Sequence, residues 1–242
     1  MNGDRTLTAA ALVAAGLAVG GWFVGHGFAR GRAAARFVTV KGVSERPAKA
    51  DLALWPLRFV ATGSELVAVQ AEIARSTTRV FAFLRQNGID SSAAEVQELQ
   101  VTDVTANPYG QIRPGVRFIL TQTVMVRSTS PETVLAASQR VGELVRAGVV
   151  LSSEQYGGGG PTFLFTGLNA LKPTMIAEAT ASAREAAEQF ARDSRSGLGG
   201  IRQANQGVFV ILPRDQAPGV NEGSQIFKTV RVVTTVEYFL RN

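Results

Sequence analysis

The sequence predicts an α+β fold made of two βαββ-like halves, with a largely antiparallel sheet, helices on one face of the sheet and an N-terminal transmembrane helix. Three observations support this prediction. Several segments alternate apolar and polar residues, which is typical of half-buried strands. Longer segments place apolar residues three and four positions apart, which is typical of amphipathic helices. An apolar run without charge, Leu7–Val24, precedes all of these segments.

The N-terminal apolar run predicts a membrane anchor. Extended to residues 6–28, it reaches the length of about 20 residues that a helix needs to cross a bilayer. Three interpretations are open: an uncleaved anchor, which we favour, a cleaved signal peptide and a buried helix. Residues 1–36 are therefore assigned to an anchor or signal segment, and residues 37–242 to an α+β domain. The flank after the apolar run carries Arg30, Arg32 and Arg36. The positive-inside rule favours a cytoplasmic position for such a basic flank and therefore opposes export of the domain that follows it.

The first predicted half follows an opening strand at residues 37–42. It consists of a strand at 50–61, a helix at 64–87 and strands at 95–106 and 116–127. Thr62 and Glu65 have the spacing of a capping box, so Thr62 is expected to be the N-cap of the helix. The alternation of the third strand is interrupted once, which predicts a β-bulge.

The second predicted half follows a helix at residues 131–147, with Ser130 as N-cap and Pro131 at N1, and a strand at 149–156. It consists of a strand at 162–168, a long helix at 172–196 and strands at 206–212 and 226–240. Pro173 is expected in the first turn of the long helix. The inner face of that helix is predicted to consist of Ile176, Ala179, Ala183, Ala187 and Phe190. Three glycines are expected to end the helix: Gly197, Gly199 and Gly200.

The composition excludes several classes of chemistry. The chain has no cysteine, which excludes disulfides, thiolate nucleophiles and cysteine-based metal sites. The single histidine is His26, so the domain after residue 36 has no imidazole for a catalytic triad or a metal site. The net charge is +6 and the pI is about 10.3. The arginines are scattered among acidic residues, however, so no nucleic-acid partner is expected.

Two sequence features could carry chemistry but are better explained by structure. A glycine-rich loop can cradle phosphate, but Gly157–Gly160 lies between two predicted strands and lacks the G-K-[ST] ending, so a chain reversal is favoured. Paired carboxylates on a helix can perform acid–base work or bind a metal ion. Arginines interleave with the carboxylates of the long helix, so a solvated charged face is favoured for Glu178, Glu185 and Glu188.

The remaining candidates have little motif support. Lys172 with Ser152 or Ser153 could be imagined as a Ser/Lys pair, but no motif surrounds these residues. Trp55 and Tyr109 suit either a contact surface or ordinary packing. We therefore expect no catalytic, cofactor-binding or metal-binding residues.

Four segments of the domain occur in a recognisable order: FVTVKGVSERPAKADLA, LRQNGID with VQELQVTDVTANPYG, AEATASAREAAEQFARDSRSGLGGIRQANQG, and TVRVVTTVEYFL. Together, over about residues 37–241, they resemble the SIMPL-domain family (DUF541), which includes bacterial 26 kDa periplasmic immunogenic proteins. The resemblance implies an extracytoplasmic α+β protein, often with a signal or anchor. It also implies ring-like or channel-like oligomers in some members and an association with oxidative-stress defence. It implies no established catalytic activity.

The expected function is that of a non-enzymatic, membrane-anchored envelope protein that forms homo-oligomers. The anchor would cross the cytoplasmic membrane once through residues 6–28, with the domain facing the periplasm or the cell exterior. We give the resemblance more weight than the basic flank, because long domains are exported largely regardless of charge. Two alternatives stay open: a ligand- or peptide-binding module that uses a sheet face or edge, and a carboxylate-dependent hydrolase.

Overall fold

The computed structural model describes residues 13–27, 36–106, 114–152 and 160–241. The elements in chain order are α1 (residues 13–27), β1 (Phe37–Lys49), β2 (Leu52–Gly63), α2 (Leu66–Gln86), β3 (Ala94–Asp103), β4 (Phe118–Ser128), α3 (Pro131–Gln139), α4 (Gly142–Arg146), β5 (Thr162–Leu164), α5 (Leu168–Asp193), β6 (Gly197–Gln206), β7 (Val210–Pro213) and β8 (Phe227–Arg241). Helices and antiparallel strand pairs confirm the α+β class.

The chain divides into two compact units. Unit 1 comprises Met1–Ser44, Thr174–Phe209 and Val232–Asn242, and unit 2 comprises Glu45–Pro173 and Val210–Arg231. The described strands form two four-stranded sheets rather than the one sheet that was expected. One has the order β3-β4-β2-β5; the other has the order β1-β8-β6, with β7 also paired to β8.

Unit 2 contains the first predicted half. β2, α2, β3 and β4 follow one another in the chain, and their three strands are neighbours in one sheet, as expected. α2 packs on β2 and β4 because its apolar stripe includes Val69, Ile73 and Val80.

Trp55 on β2 is buried and lies edge-to-face with Phe83, at 6.4 Å between the ring centroids. Trp55 is therefore a core residue and not a surface contact.

The predicted capping box at the start of α2 is wrong. Glu65 occupies the N-cap position, and its side chain makes no capping hydrogen bond. Thr62 and Gly63 instead remain in β2, where they pair with Ile119 and Phe118 of β4. Pairing with β4 therefore holds the two residues that the sequence pattern assigned to the helix terminus.

The single helix predicted at residues 131–147 is two helices, α3 and α4. The division occurs where the amides of Arg140 and Val141 bond to carbonyls three residues earlier, which tightens the chain out of the α-helical pattern. Ser130 is the N-cap and Pro131 is at the first turn as expected, although the Ser130 side chain makes no capping hydrogen bond. Of the strand predicted at 149–156, the described residues show a bridge from Leu151 to Phe59; residues 153–156 lie outside them.

The second predicted half is wrong at its first strand. β5 has three residues and pairs with Leu52–Leu54 of β2, in the sheet of unit 2. The other sheet is completed by β1, which lies beside β8. The strand expected at 206–212 is also divided between the end of β6 and β7. The three glycines expected to end the long helix lie in β6: Gly197 pairs with Arg241 of β8, and Gly199 and Gly200 lie where the register with β8 shifts.

Helix α5 begins at Leu168, so Pro173 lies inside it and not in its first turn. The cause is a distant residue: the carboxylate of Asp51 accepts hydrogen bonds from the amides of Thr166 and Gly167 and from the Thr166 hydroxyl. These bonds fix the two residues directly before the helix and satisfy their amides. The partners are 115 and 116 residues apart in the chain, so no local pattern indicates them.

The buried stripe of α5 repeats at steps of four residues. It consists of Met175, Ala179, Ala183, Ala187 and Ala191. The three central alanines of the prediction are confirmed, but Phe190 is exposed and Ile176 is only partly buried. Two members of the stripe, Ala183 and Ala187, pack with Val38, Val236 and Tyr238 of the sheet in unit 1.

Gly42 of β1 shows how closely α5 approaches. A methyl group on Gly42 would overlap the carbonyl oxygen of Ala179 and the amide nitrogen of Ala183, and would lie 2.9 Å from the Ala183 methyl carbon. Only hydrogen fits at this position, so the strand and the helix backbone are in direct contact.

Helix α1 covers part of the predicted anchor. None of the helices in the described residues is both long enough and apolar enough to span a bilayer. Residues 6–12 and 28 of the predicted span lie outside the described residues. The anchor therefore stays a prediction.

Candidate functional site

Strand β3 forms one edge of the sheet in unit 2. It pairs with β4 along its length, from Ala94 opposite Val126 to Asp103 opposite Phe118. Its other side pairs with no strand in the part of the chain that the structure describes. All residues from 95 to 102 are exposed, so the backbone groups of this edge are open to another strand.

Three aliphatic side chains on β3 form an exposed apolar stripe. Val96, Leu99 and Val101 pair across the ladder with Val124, Gln122 and Leu120, which are buried. The stripe therefore lies on the same sheet face as α2, which covers β2 and β4. Val96, Leu99 and Val101 nevertheless remain 45%, 45% and 51% exposed, respectively. It continues the core surface of unit 2 outward to the sheet edge.

The predicted β-bulge is confirmed and has an identifiable support. The register of β3 shifts between Val96 and Leu99. The buried side-chain amide of Gln122 donates to the carbonyl oxygens of Gln97 at 3.2 Å and Glu98 at 2.9 Å. Gln122 thus satisfies the carbonyls that the bulge removes from the ladder, and it leaves residues 99–103 as the regular part of the edge.

The charge on β3 is acidic. Glu95 and Glu98 are exposed, and the strand contains no basic residue. Asp103 at the end of β3 accepts hydrogen bonds from the hydroxyl and amide of Thr105 and pairs with Arg117 at 3.2 Å. These bonds, those from Thr105 first, hold the pKa of Asp103 below its ordinary value. The edge therefore carries negative charge at neutral pH.

A shallow groove lies on the opposite face of the same sheet. Its volume is about 390 Å³, and its lining includes Leu54, Met125, Arg127 and Glu95. Farther along this face, Arg58 donates to the side-chain oxygen of Gln100 at 3.2 Å, while its Nε atom is buried without a hydrogen-bond partner. A volume of this size is sufficient for a small ligand.

The carboxylates of the long helix do not form a common site. Glu178 accepts a hydrogen bond from the buried Ser44 hydroxyl at 2.7 Å, and Glu188 pairs with Arg184 at 3.2 Å. Glu185 is exposed. In the described parts of the chain, no three Asp, Glu or His side chains are placed to hold a metal ion. The interpretation as a solvated charged face agrees with the placement of Glu185 and Glu188, whereas Glu178 is half-buried against β1.

The other sequence candidates are dispersed. Lys172 lies on α5, Ser152 follows the bridge at Leu151, and His26 is exposed on α1 beside Trp22. Ser153, Tyr109 and three residues of the glycine run, 157–159, lie outside the described residues. Gly160 has open space where a side chain would be.

Sequence reasoning missed the open edge of β3 and a buried ion pair. The alternation of β3 indicated a strand with one buried face, but exposure depends on the position of a strand in its sheet, which periodicity does not specify. Lys228 of β8 is fully buried and pairs with the Glu222 carboxylate, while its Nζ donates to the Glu222 carbonyl oxygen at 2.7 Å. The alternation of β8 places Lys228 on the same face as Val230 and Val232, both of which are buried, and this was the one available signal.

Comparison with known proteins agrees with the architecture. No curated protein matches the chain. The model of the SIMPL family, described as a protein of unknown function (DUF541), matches residues 38–238. That match covers β1 through most of β8, including the β3 edge and the alanine stripe of α5. The chain therefore belongs to the SIMPL family.

Proposed function

We propose that this chain is a non-enzymatic, membrane-anchored envelope protein that self-assembles through the open edge of β3, with a second copy of the chain as the partner. The observation that carries the proposal is the exposed apolar stripe of Val96, Leu99 and Val101 beside unpaired strand backbone. Exposed edges of this kind accept a further strand unless they are blunted by lysine, proline or a cover. Residues 99–103 contain no lysine or proline, and no strand of the described residues pairs with their open side.

The bulge limits where a partner strand pairs. It interrupts the regular ladder after Val96, so the five residues from Leu99 to Asp103 provide the regular template. A partner strand there would gain main-chain hydrogen bonds and would cover Leu99 and Val101. The acidic side chains of β3 disfavour pairing of this edge with itself, since like charges would then face each other.

Lysine substitutions on the stripe test the assembly. The double variant Leu99→Lys with Val101→Lys should retain the fold, because both side chains are exposed in the wild type. It places positive charge on the proposed contact surface. The matched control is Val67→Lys with Val145→Lys, at two exposed positions on α2 and α4. We expect the wild type and the control to have the same oligomeric mass by light scattering. The protein concentration at which half of the assembly is dissociated should be higher for the β3 variant than for the wild type, on the order of tenfold or more. A monomeric wild type would contradict the proposal.

The membrane part of the proposal concerns residues 6–28 and places the domain outside the cytoplasmic membrane. Support comes from the uncharged run at Leu7–Val24 and from the extracytoplasmic location that the family resemblance implies. A reporter that is active only after export, fused behind Asn242, should be active. A stable but inactive fusion, together with an active cytoplasmic reporter at the same position, would contradict the topology. The association with oxidative-stress defence stays a prediction.

The groove beside Leu54 and Met125 favours a second candidate function, the binding of a small ligand or peptide on the open sheet face. Methyl resonances of Met125 would report such binding in a ligand screen. Loss of a detected ligand in Met125→Glu, with no change in Val67→Lys, would support this function.

A further inference from the structure

We infer that one end of unit 1 is a docking surface for anionic lipid headgroups, and that it holds the unit against the membrane into which the N-terminal segment inserts. The inference rests on the proposed anchor. The surface, here called the basic end, consists of the start of β1, the C-terminal turn of α5, the start of β6 and the end of β8.

The strand register brings these four segments together. The amide of Leu240 on β8 donates to the carbonyl oxygen of Arg36, directly before β1. Arg241 pairs with Gly197 at the start of β6. Only residues 194–196 separate that strand from the end of α5. The four segments therefore meet at one end of the sheet.

Positive charge is concentrated at this end. Four arginines and one aspartate are the charged residues of these segments. They lie within residues 36–40, 189–200 and 238–241, and they are Arg36, Arg192, Arg195, Arg241 and Asp193. Arg195 and Arg241 are exposed and form no ion pair with any described residue. Arg192 donates to the Gln189 side chain at 2.7 Å. By contrast, residues 42–44, 204–209 and 232–235, toward the other end of the sheet, carry no charged side chain.

Exposed aromatic rings accompany the arginines. Phe37, Phe190 and Phe239 are 41%, 49% and 38% exposed, respectively. Arginines together with aromatic side chains are suited to the headgroup region, where cations meet anionic lipids and rings enter the interface. The side-chain composition therefore favours a lipid surface.

Chain continuity supplies the second argument. β1 begins at the basic end, and the preceding residue, Arg36, is eight residues beyond the predicted span at 6–28. Eight residues reach at most about 28 Å when fully extended. The anchor would therefore keep the basic end near the bilayer at a high effective concentration, so that modest electrostatic attraction is sufficient for docking.

The absence of cysteine permits a direct measurement on the full chain. Gly200→Cys, near the basic end, and Gly142→Cys, in unit 2, each add a side chain where nothing lies within 4 Å. Each variant carries one environment-sensitive fluorophore and is reconstituted into two kinds of vesicles. One kind contains phosphatidylcholine alone, and the other contains phosphatidylglycerol in addition.

We expect the fluorophore at position 200 to shift to shorter wavelength and to be shielded from acrylamide in phosphatidylglycerol vesicles only, and high salt should reverse both effects. The fluorophore at position 142 should not change. Arg195→Glu with Arg241→Glu should lower the ratio of docked to undocked protein by about twenty-five-fold or more, since each arginine contributes roughly fivefold. The control with the same charge change, Arg85→Glu with Arg146→Glu, should dock as the wild type does.

Vesicle flotation separates the two ways of failing. If the chain floats with both kinds of vesicles but the fluorophore at position 200 responds identically in both, the docking surface is wrong and the anchor is retained. The same conclusion follows if the Arg195/Arg241 variant still docks like the wild type. If the chain floats with neither kind, both the anchor and the docking surface are wrong.

Discussion

At the residue scale, two positions depend on contacts with distant parts of the sequence. Gly42 allows α5 to contact β1 directly, and Asp51 provides the hydrogen-bond acceptor that starts α5 five residues before its proline. Neither role follows from the local sequence, because each partner lies more than one hundred residues away. Both roles have consequences for stability that can be measured.

We predict that Gly42→Ala lowers the free energy of unfolding by about 3 kcal/mol, the upper part of the range for overpacked sites, because the added methyl group meets helix backbone that cannot rotate away. Urea unfolding measures the change. Gly142→Ala is the matched control: it has open space around it and lies in a helix, so stability should be unchanged or higher by about 0.5–1 kcal/mol. Equal stability of Gly42→Ala and the wild type would show that the close approach is wrong.

Asp51→Ala should lower the free energy of unfolding by about 2 kcal/mol, because three donors of Thr166 and Gly167, directly before α5, lose their acceptor. Asp51→Asn keeps one acceptor oxygen and should lose less. Hydrogen exchange should become faster at residues 168–172 in Asp51→Ala and stay unchanged in α2. Unaltered exchange at the start of α5 would rule out this role of Asp51.

At the element scale, the sequence predicted elements well where the local pattern determined them. The strand–helix–strand–strand order of unit 2, the bulge in β3 and the three central alanines of α5 are confirmed. The errors lie where tertiary contacts override a local signal. Thr62 is held by its pairing with Ile119 of β4, and Gly197 by its pairing with Arg241 of β8. Periodicity could identify β3 as a strand but could not place it at the edge of a sheet.

The alanine stripe of α5 gives a prediction for a whole helix face. Ala183→Asp should lower the free energy of unfolding by about 3 kcal/mol or more, because Ala183 is fully buried and the carboxylate would have no partner. Ala186→Asp, at an exposed position on the same helix, should lose only about 0.5 kcal/mol through helix propensity. Thermal unfolding of both variants checks this, and similar melting temperatures would show that the face is misassigned.

The bulge in β3 gives a prediction for a strand. Gln122→Leu removes the amide that bonds the carbonyls of Gln97 and Glu98. The free energy of unfolding should fall by about 1–2 kcal/mol, since water can reach part of this exposed edge. Amide exchange at residues 97–99 should become faster, whereas exchange in β2 should not change. Protection of the bulge as in the wild type would contradict the role of Gln122.

At the scale of the whole molecule, the SIMPL family assignment and the α+β architecture are established, and assembly through β3 is the proposal that connects them to function. One strand of ten residues combines apolar side chains, acidic charge and a backbone edge that no described strand pairs. The membrane segment and the basic end would orient each copy, and the β3 edge would join copies to one another.

Site-specific cross-linking in intact membranes tests the central claim most directly. Gln100→Cys places the only cysteine of the chain at an exposed position in the regular part of β3, and Arg85→Cys on α2 is the control. A maleimide–benzophenone attached to the cysteine reacts on illumination with whatever lies beside it, and it should convert a large share of the Gln100→Cys protein into a covalent dimer and little of the control. Equal cross-linking at both positions, or none at position 100, would contradict assembly through the β3 edge.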